Sequence, residues 1–292
     1  MKHLGMKHLG MKRLANFAPL AAGYDGFILD LWGVIHDGVE PYPGAVECLI
    51  ALRRAGKRIV LLSNAPRRAG EVQMQLRGMG IPDDAYDGVM TSGEATFLML
   101  RDRSDPWYLA LGKAVFHLGP ERDRNVLHGL DLVVHDTPEG AAFLLNTGPD
   151  DHLSPTDPAA YDAVLQDCAA RRLPMICANP DLYVIRGGVQ VVCAGTLAMR
   201  YVAMGGDVRS LGKPDPAIYA PVLAMLGVAP ARVLAVGDAL RTDIAGAAAV
   251  GLDACWVLGG LHGAHLGSEA ATEAEATAAG LYPVAAIPHF VW

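Results

Sequence analysis

Four polar residues in this chain stand where short apolar runs stop, and two more join them. Asp30 follows "GFIL", Ser63 and Asn64 follow "RIVLL", and Asp238 follows "VLAVG", with Asp243 five residues later. Lys213 lies in "LGKPDP", where Asp215 and Pro216 have the types of a helix cap and a first helical residue, leaving the lysine in the loop before them. These groups suit one task. The carboxylates at 30, 238 and 243 offer hard oxygen ligands to Mg²⁺, which typically takes one or two protein carboxylates and completes its shell with phosphate oxygens and water. A hydroxyl at Ser63, backbone N–H groups at a helix start and the Lys213 ammonium suit the phosphate itself. A carboxylate left facing the phosphorus is a nucleophile, as in aspartyl-phosphate chemistry.

Such residues meet only if the apolar runs lie side by side as parallel strands, because open parallel sheets bind ligands outside their carboxyl ends. From residue 24 onward the chain alternates apolar runs with helical periodicity, the pattern of βαβ units. "GFILDL" predicts a buried strand. Pro43-Gly44 then opens a helix carrying Val46, Leu49, Ile50 and Leu52 on one face, with Arg53 and Arg54 in its last turn and Gly56 beyond it. "KRIVLLS" (57–63) predicts the next strand, and Asn64-Ala65-Pro66 the start of another helix. Late in the chain "ARVLAVGD", "RTDIAGAAAVG" and "DACWVLGG" predict strand, helix and strand.

Between these halves the text is less regular, with strand-like runs "AVFHLG", "LDLVV" and "AAFLLNTG", a helix-like run near 158–172, and "PMICANPD". The expected fold class is therefore α/β: a doubly wound parallel-sheet core, residues 16–81 plus 179–292, with an inserted α/β cap domain, residues 82–178. Residues 1–15, which open on a duplicated "MKHLG", are expected to be a disordered tail, and "SEAATEAEATAAG" an exposed helix.

Four motifs in this order around an insertion of this size resemble the haloacid dehalogenase superfamily, in its class IIA, NagD-like branch, from about residue 24 to 260. They are "DLWGV", "LLSN", "GKPDP" and "GDALRTDIAGA", with "CANPD" closing the insertion. The resemblance implies that Asp30 is the nucleophile and Lys213 its catalytic partner. It places Mg²⁺ among Asp30, the main-chain carbonyl of Trp32, Asp238 and Asp243, and the phosphoryl group on Ser63, Asn64 and Lys213. Asn179, with Asp181, is implied near the site, and the cap would choose the substrate. The chain departs from this pattern at Trp32, where phosphatases of the family carry an Asp that protonates the leaving oxygen. An indole N–H is no acid near neutral pH. His36 and Asp37, in the "HDG" loop, are the nearest candidates to replace it.

Composition narrows the remaining classes. With 24 Lys+Arg against 31 Asp+Glu the net charge is 24 − 31 = −7, which favours neither nucleic acid nor anionic lipid. No apolar run approaches the ~20 residues of a membrane span, and no signal-like segment follows the basic start. Cys48, Cys168, Cys177, Cys193 and Cys255 have no paired spacing, so they read as reduced residues of a cytoplasmic protein. His36, His117, His135 and His262 read as loop or surface residues rather than metal ligands. "GGDVRSLGKP" resembles a phosphate loop only superficially, since Gly206 is one residue too distant and Pro214 occupies the Ser/Thr place.

The expected function is a Mg²⁺-dependent phosphohydrolase acting on a small phosphorylated metabolite through an aspartyl-phosphate; a homo-oligomer is compatible with it. Two rivals remain. Trp32 would also suit a relative that binds a phosphorylated ligand without turnover, and superfamily dehalogenases keep an aromatic residue two places after the nucleophile. A metal-independent halide displacement, however, has no use for the carboxylates at 238 and 243.

Overall fold

The computed structural model describes residues 10–186, 188–260 and 268–292; the duplicated residues 1–9 and His262 lie outside the described residues. In chain order its strands are β1 (Lys12–Arg13), β2 (Gly26–Leu29), β3 (Arg58–Ser63), β4 (Gly88–Thr91), β5 (Ala114–Leu118), β6 (Val133–His135) and β7 (Phe143–Asn146). They continue as β8 (Met175–Cys177), β9 (Tyr183–Arg186), β10 (Val189–Val192), β11 (Val208–Ser210), β12 (Val233–Gly237), β13 (Asp253–Val257) and β14 (Ala285–Ile287). Two sheets of parallel character result, one of seven strands in the order β1-β14-β13-β12-β2-β3-β4 and one of five in the order β11-β8-β7-β5-β6. This is the α/β, Rossmann-like arrangement expected from the sequence.

The chain divides into two compact units. The first comprises residues up to Leu61, Ile81–Gly88 and Tyr219–Trp292. Its strands pair in parallel from β1 through to β3. β2 and β12 are apolar at nearly every position because both faces are covered: no residue of "GFIL" or "VLAVG" is exposed. Lys12 and Arg13, within the segment expected to be a tail, pair with Ala285 and Ala286 at the sheet edge. The helix Ala45–Arg54 forms where Gly44 supplies a left-handed N-cap, and it buries Ala45, Cys48, Leu49 and Leu52. The helix Glu269–Ala278 is capped by Ser268 and buries Thr272 and Ala276, so the predicted exposed helix has a packed face.

The second unit comprises Leu62–Gly80 and Val89–Ile218. Its five strands are all parallel. Alternate residues go to opposite faces: Phe116, Leu118, Leu144, Met175 and Cys177 pack with Tyr161, Leu165 and Tyr201, whereas Val115, Phe143, Leu145 and Ile176 pack with Leu100 and Tyr108. The sheet runs to Ser210 of β11, past the expected cap boundary at residue 178. An antiparallel hairpin of β9 and β10, which the sequence analysis did not separate, follows "ANPD".

The helix expected to start at Asn64 begins instead at Ala69. Side chains hold the intervening, bent segment out of a helix: Thr91 donates to the Arg67 carbonyl, Asn125 accepts from Arg68 N–H, and Glu94 accepts from Ala69 N–H. These contacts take the groups that a helix start would have used.

His36 lies in a loop but is buried, and His117 is buried within a strand, so neither is a surface residue and His117 is not a loop residue as expected. In the second unit His117 lies within β5, with Nε2 2.9 Å from Thr147 Oγ1, and burial pushes its pKa down to about 4, with a further push from Arg124. A histidine held neutral in the fold but free to protonate when unfolded stabilises the protein above its unfolded value near 6.5, and that stability is lost as the pH falls towards 4. Denaturant titrations should therefore show wild-type stability dropping more steeply over this window than that of His117→Gln, by at most about 3 kcal/mol.

Candidate active site

In the first unit the strand order reverses between β2 and β12, the kind of switch point at which parallel sheets bind ligands. Register fixes what arrives there. Leu29 pairs with Val236, and Asp30 N–H donates to the Val236 carbonyl at 2.9 Å, so Asp30 and Asp238 leave neighbouring strands side by side. Asp243 reaches them from a π-turn, Leu240–Ile244, which precedes the helix Ala245–Ala249. One oxygen of each carboxylate lies within 4.8 Å of those of the other two, and all three residues are buried.

This gathering depends on residues that the sequence analysis passed over. A Cβ at Gly237 would stand 2.1 Å from the Asp243 Cβ, and one at Gly260 2.5 Å from that of Asp238. Gly33 takes φ +86°, and a Cβ there would come within 2.3 Å of an Asp238 carboxylate oxygen. Trp256 is fully buried and donates its indole N–H to the Asp238 carbonyl at 2.8 Å. Gly33, directly after "LW", and Gly237, directly before Asp238, were the available signal.

Trp32 sits in a turn whose N–H groups at Ile35 and His36 both bond the Leu31 carbonyl. Its ring covers Gly38 and meets His36 edge-on, with centroids 6.0 Å apart. The indole N–H is buried and has no hydrogen-bond partner among the described residues. His36 accepts from Gly38 N–H and is pushed down to about 4 by burial; Asp37 accepts from Val39 and Glu40 N–H, and those bonds hold its carboxyl below the usual range. At neutral pH His36 is neutral and Asp37 ionised, so neither is poised as a proton donor.

In the second unit Asn64 organises the other predicted residues. Its amide donates to the Lys213 carbonyl at 3.1 Å and to Asp181 Oδ1 at 2.9 Å, and its oxygen accepts from Lys213 N–H at 2.8 Å and Ser92 Oγ at 3.3 Å. Lys213 is thereby fixed in a buried loop, and Asp215 caps the turn after it by accepting from Ala217 N–H, as predicted. Asn179 turns its oxygen to Asp181 N–H at 3.0 Å, so its side chain positions Asp181. Ser63 is buried, with its hydroxyl accepting from Ala65 N–H. Within this unit Asn64, Ser92, Asn179, Asp181 and Lys213 are brought together; Asp181 was implied with Asn179 by "CANPD", whereas Ser92 belongs to no motif that the sequence analysis singled out.

A family profile described as haloacid dehalogenase-like hydrolase matches residues 27–133, and a second, described as HAD-hydrolase-like, matches residues 210–283. Human chronophin is 31% identical over 231 residues, covering 75% of this chain and 76% of its own. The chain belongs to the haloacid dehalogenase-like hydrolases. Within this family it falls in the class IIA, NagD-like branch. A solved haloacid dehalogenase-like hydrolase of Brucella suis is 33% identical with a TM-score of 0.81, over 95% of this chain and 100% of that one. Glycerol phosphate phosphatase of Mycobacterium tuberculosis, solved in complex with magnesium, is 27% identical with a TM-score of 0.65, over 83% of this chain and 70% of that one.

Removing the Asn64 side chain would strand the buried Lys213 N–H and carbonyl. Asn64→Ala should cost about 2–3 kcal/mol in denaturant unfolding. Asn64→Asp should cost at least as much, because it aims a carboxylate at Asp181.

Proposed function

We propose that this hydrolase is a Mg²⁺-dependent phosphohydrolase acting on a small phosphorylated metabolite. The observation that carries the reading is the buried trio Asp30, Asp238 and Asp243, whose oxygens lie within 4.8 Å of one another. Three carboxylates so close repel unless a cation joins them, and an all-oxygen set of this kind fits a hard divalent ion. Asp30, Asp238, Asp243 and the Trp32 carbonyl would hold Mg²⁺. The bound ion would neutralise phosphoryl charge as the reaction proceeds.

In this reading an Asp30 oxygen attacks phosphorus, the P–O bond to the leaving group breaks, and an aspartyl-phosphate forms that water later hydrolyses. Lys213, Ser63 and Asn179 bind the phosphoryl group, with Asn64 holding the Lys213 loop in place and the ammonium opposing the charge on the phosphoryl oxygens. The elements of the five-stranded sheet serve as the cap, and those of the seven-stranded sheet as the core.

Trp32 gives this chemistry its particular character. No proton can come from the indole, so the leaving oxygen departs without the help that general acid catalysis supplies, typically worth about 10²–10⁴ in rate. Positioning and the nucleophile remain, and phosphate ester hydrolysis admits accelerations of up to ~10²¹ overall. Good leaving groups are therefore favoured. The second reading, a ligand-binding relative without turnover, rests on the same residue and predicts stabilisation by phosphate compounds with no phosphate release.

Phosphate release from an aryl and an alkyl phosphate with Mg²⁺ separates the two. Turnover of the aryl ester, abolished in Asp30→Asn and much weaker on the alkyl ester, is expected. Trp32→Asp should raise alkyl turnover by about 10²-fold or more. Silence from wild type and Trp32→Asp on both esters would favour the binding reading.

A further inference from the structure

Residues 64–68 lie outside any helix or strand, between β3 and the helix Ala69–Gly78. In the function proposed above, on which this inference rests, Ser63 and Lys213 bind the phosphoryl group and Asn64 holds the Lys213 loop. Pro66 has no N–H to give, and a segment without regular structure must be pinned by groups from elsewhere. Two elements of the second unit supply them. From the start of the helix Ser92–Asp102, Gly93 N–H donates to the Ala65 carbonyl at 3.1 Å, Ser92 Oγ to Asn64 Oδ1 at 3.3 Å, and the hydroxyl of the N-cap Thr91 to the Arg67 carbonyl. Packing there is close: a Cβ at Gly93 would stand 2.3 Å from the Arg67 nitrogen. From the turn Glu121–Leu127, Asn125 Oδ1 accepts from Arg68 N–H at 2.9 Å, and Asp123 Oδ1 accepts from Arg67 Nε at 3.0 Å.

Asp123 is ionisable and only 2% exposed. It faces Arg67 from the segment, Arg122 from its own turn, with Nε 3.8 Å from the same oxygen, and the opposing charge of Asp151 from the loop after β7. Arg68, the next cation on the segment, is taken by Glu94 at 2.7 Å. Burial outweighs the two arginines and pushes the Asp123 carboxyl up to about 6. An acid raised from 3.8 in this way favours the folded state most below that value, and the contribution is lost as the pH rises through 6. At neutral pH the ionised carboxylate therefore costs stability, while Gly93, Thr91 and Asn125 satisfy the backbone of the segment without charge. What the carboxylate adds is a charge-assisted hold on one side chain, Arg67, three residues from Asn64.

We infer that Asp123 is a positioning residue: through Arg67 it holds the Ser63–Asn64 segment, and with it the Lys213 loop, in the geometry that binds the phosphoryl group. Without the charge Arg67 loosens and the Asn64 amide shifts against Lys213, so phosphate binding weakens while the chemical step on bound substrate changes less. Protonation has the same effect reversibly.

The test measures KM and kcat for phenyl phosphate with Mg²⁺ between about pH 5 and 8 in wild type, Asp123→Asn, Arg67→Gln and the double variant. Asparagine keeps the size and an acceptor for Arg67 but not the charge. Near pH 7.5 Asp123→Asn should raise KM about fivefold with kcat within about twofold, and should unfold in denaturant no earlier than wild type. The ratio of its KM to that of wild type should approach unity near pH 5, where the wild-type carboxyl is protonated as well; titration of the substrate is common to both proteins and cancels. Arg67→Gln should follow the same course, and adding Asp123→Asn to it should change KM little. A KM ratio of unity near pH 7.5, a raised ratio that does not fall with pH, or full additivity in the double variant overturns the positioning role and leaves the phosphatase reading standing. If Asp123→Asn does not fold, Arg67→Gln against wild type decides by the same ratio and its course with pH. If wild type releases no phosphate, the phosphatase reading fails, and calorimetric binding of inorganic phosphate to the same proteins decides the positioning role by the same comparisons.

Discussion

Three carboxylates confined to one small buried volume set the terms for the first unit. At about 4 Å and an effective dielectric near 20, each like-charged pair costs on the order of 4 kcal/mol, and burial removes the water that would otherwise screen it. The fold nevertheless assembles them. Adjacent parallel strands deliver Asp30 and Asp238 in register, a π-turn brings Asp243 back across Gly237, and Trp256 anchors the Asp238 backbone. Glycines at 33, 237 and 260 stand where any side chain would collide with these aspartates. In the function proposed above, a cation among the three carboxylates offsets this repulsion.

The second unit solves a different problem with neutral groups. Asn64 satisfies both backbone groups of Lys213 while contacting Ser92 and Asp181, so a single amide fixes the loop that carries the buried ammonium. Trp32 belongs to neither arrangement. Its ring covers Gly38 and abuts His36, where its bulk serves packing, and the position supplies no proton. In the reaction proposed above the consequence is selective: nucleophilic attack is untouched, while departure of a poor leaving group is not assisted.

Much of this was legible in the sequence because it depends on strand ends. Asp30, Ser63 and Asp238 could be placed by the apolar runs before them, and the Asp215 cap located Lys213 correctly. What stayed hidden depends on tertiary partners. Pro66 advertised a helix start that Thr91, Glu94 and Asn125 displaced to Ala69. The β9–β10 hairpin has only four residues in each strand and too little alternation to stand out. The burial of His36 and His117 stayed hidden because a lone histidine carries no sign of it.

The most direct test of the central claim is a calorimetric titration of Mg²⁺ into wild type and Asp238→Asn in the absence of any phosphate. Wild type should bind one ion, and Asp238→Asn should bind it far more weakly while unfolding at a higher denaturant concentration than metal-free wild type, because one like charge has been removed. Absence of binding to wild type, or unchanged binding to Asp238→Asn, would contradict the account.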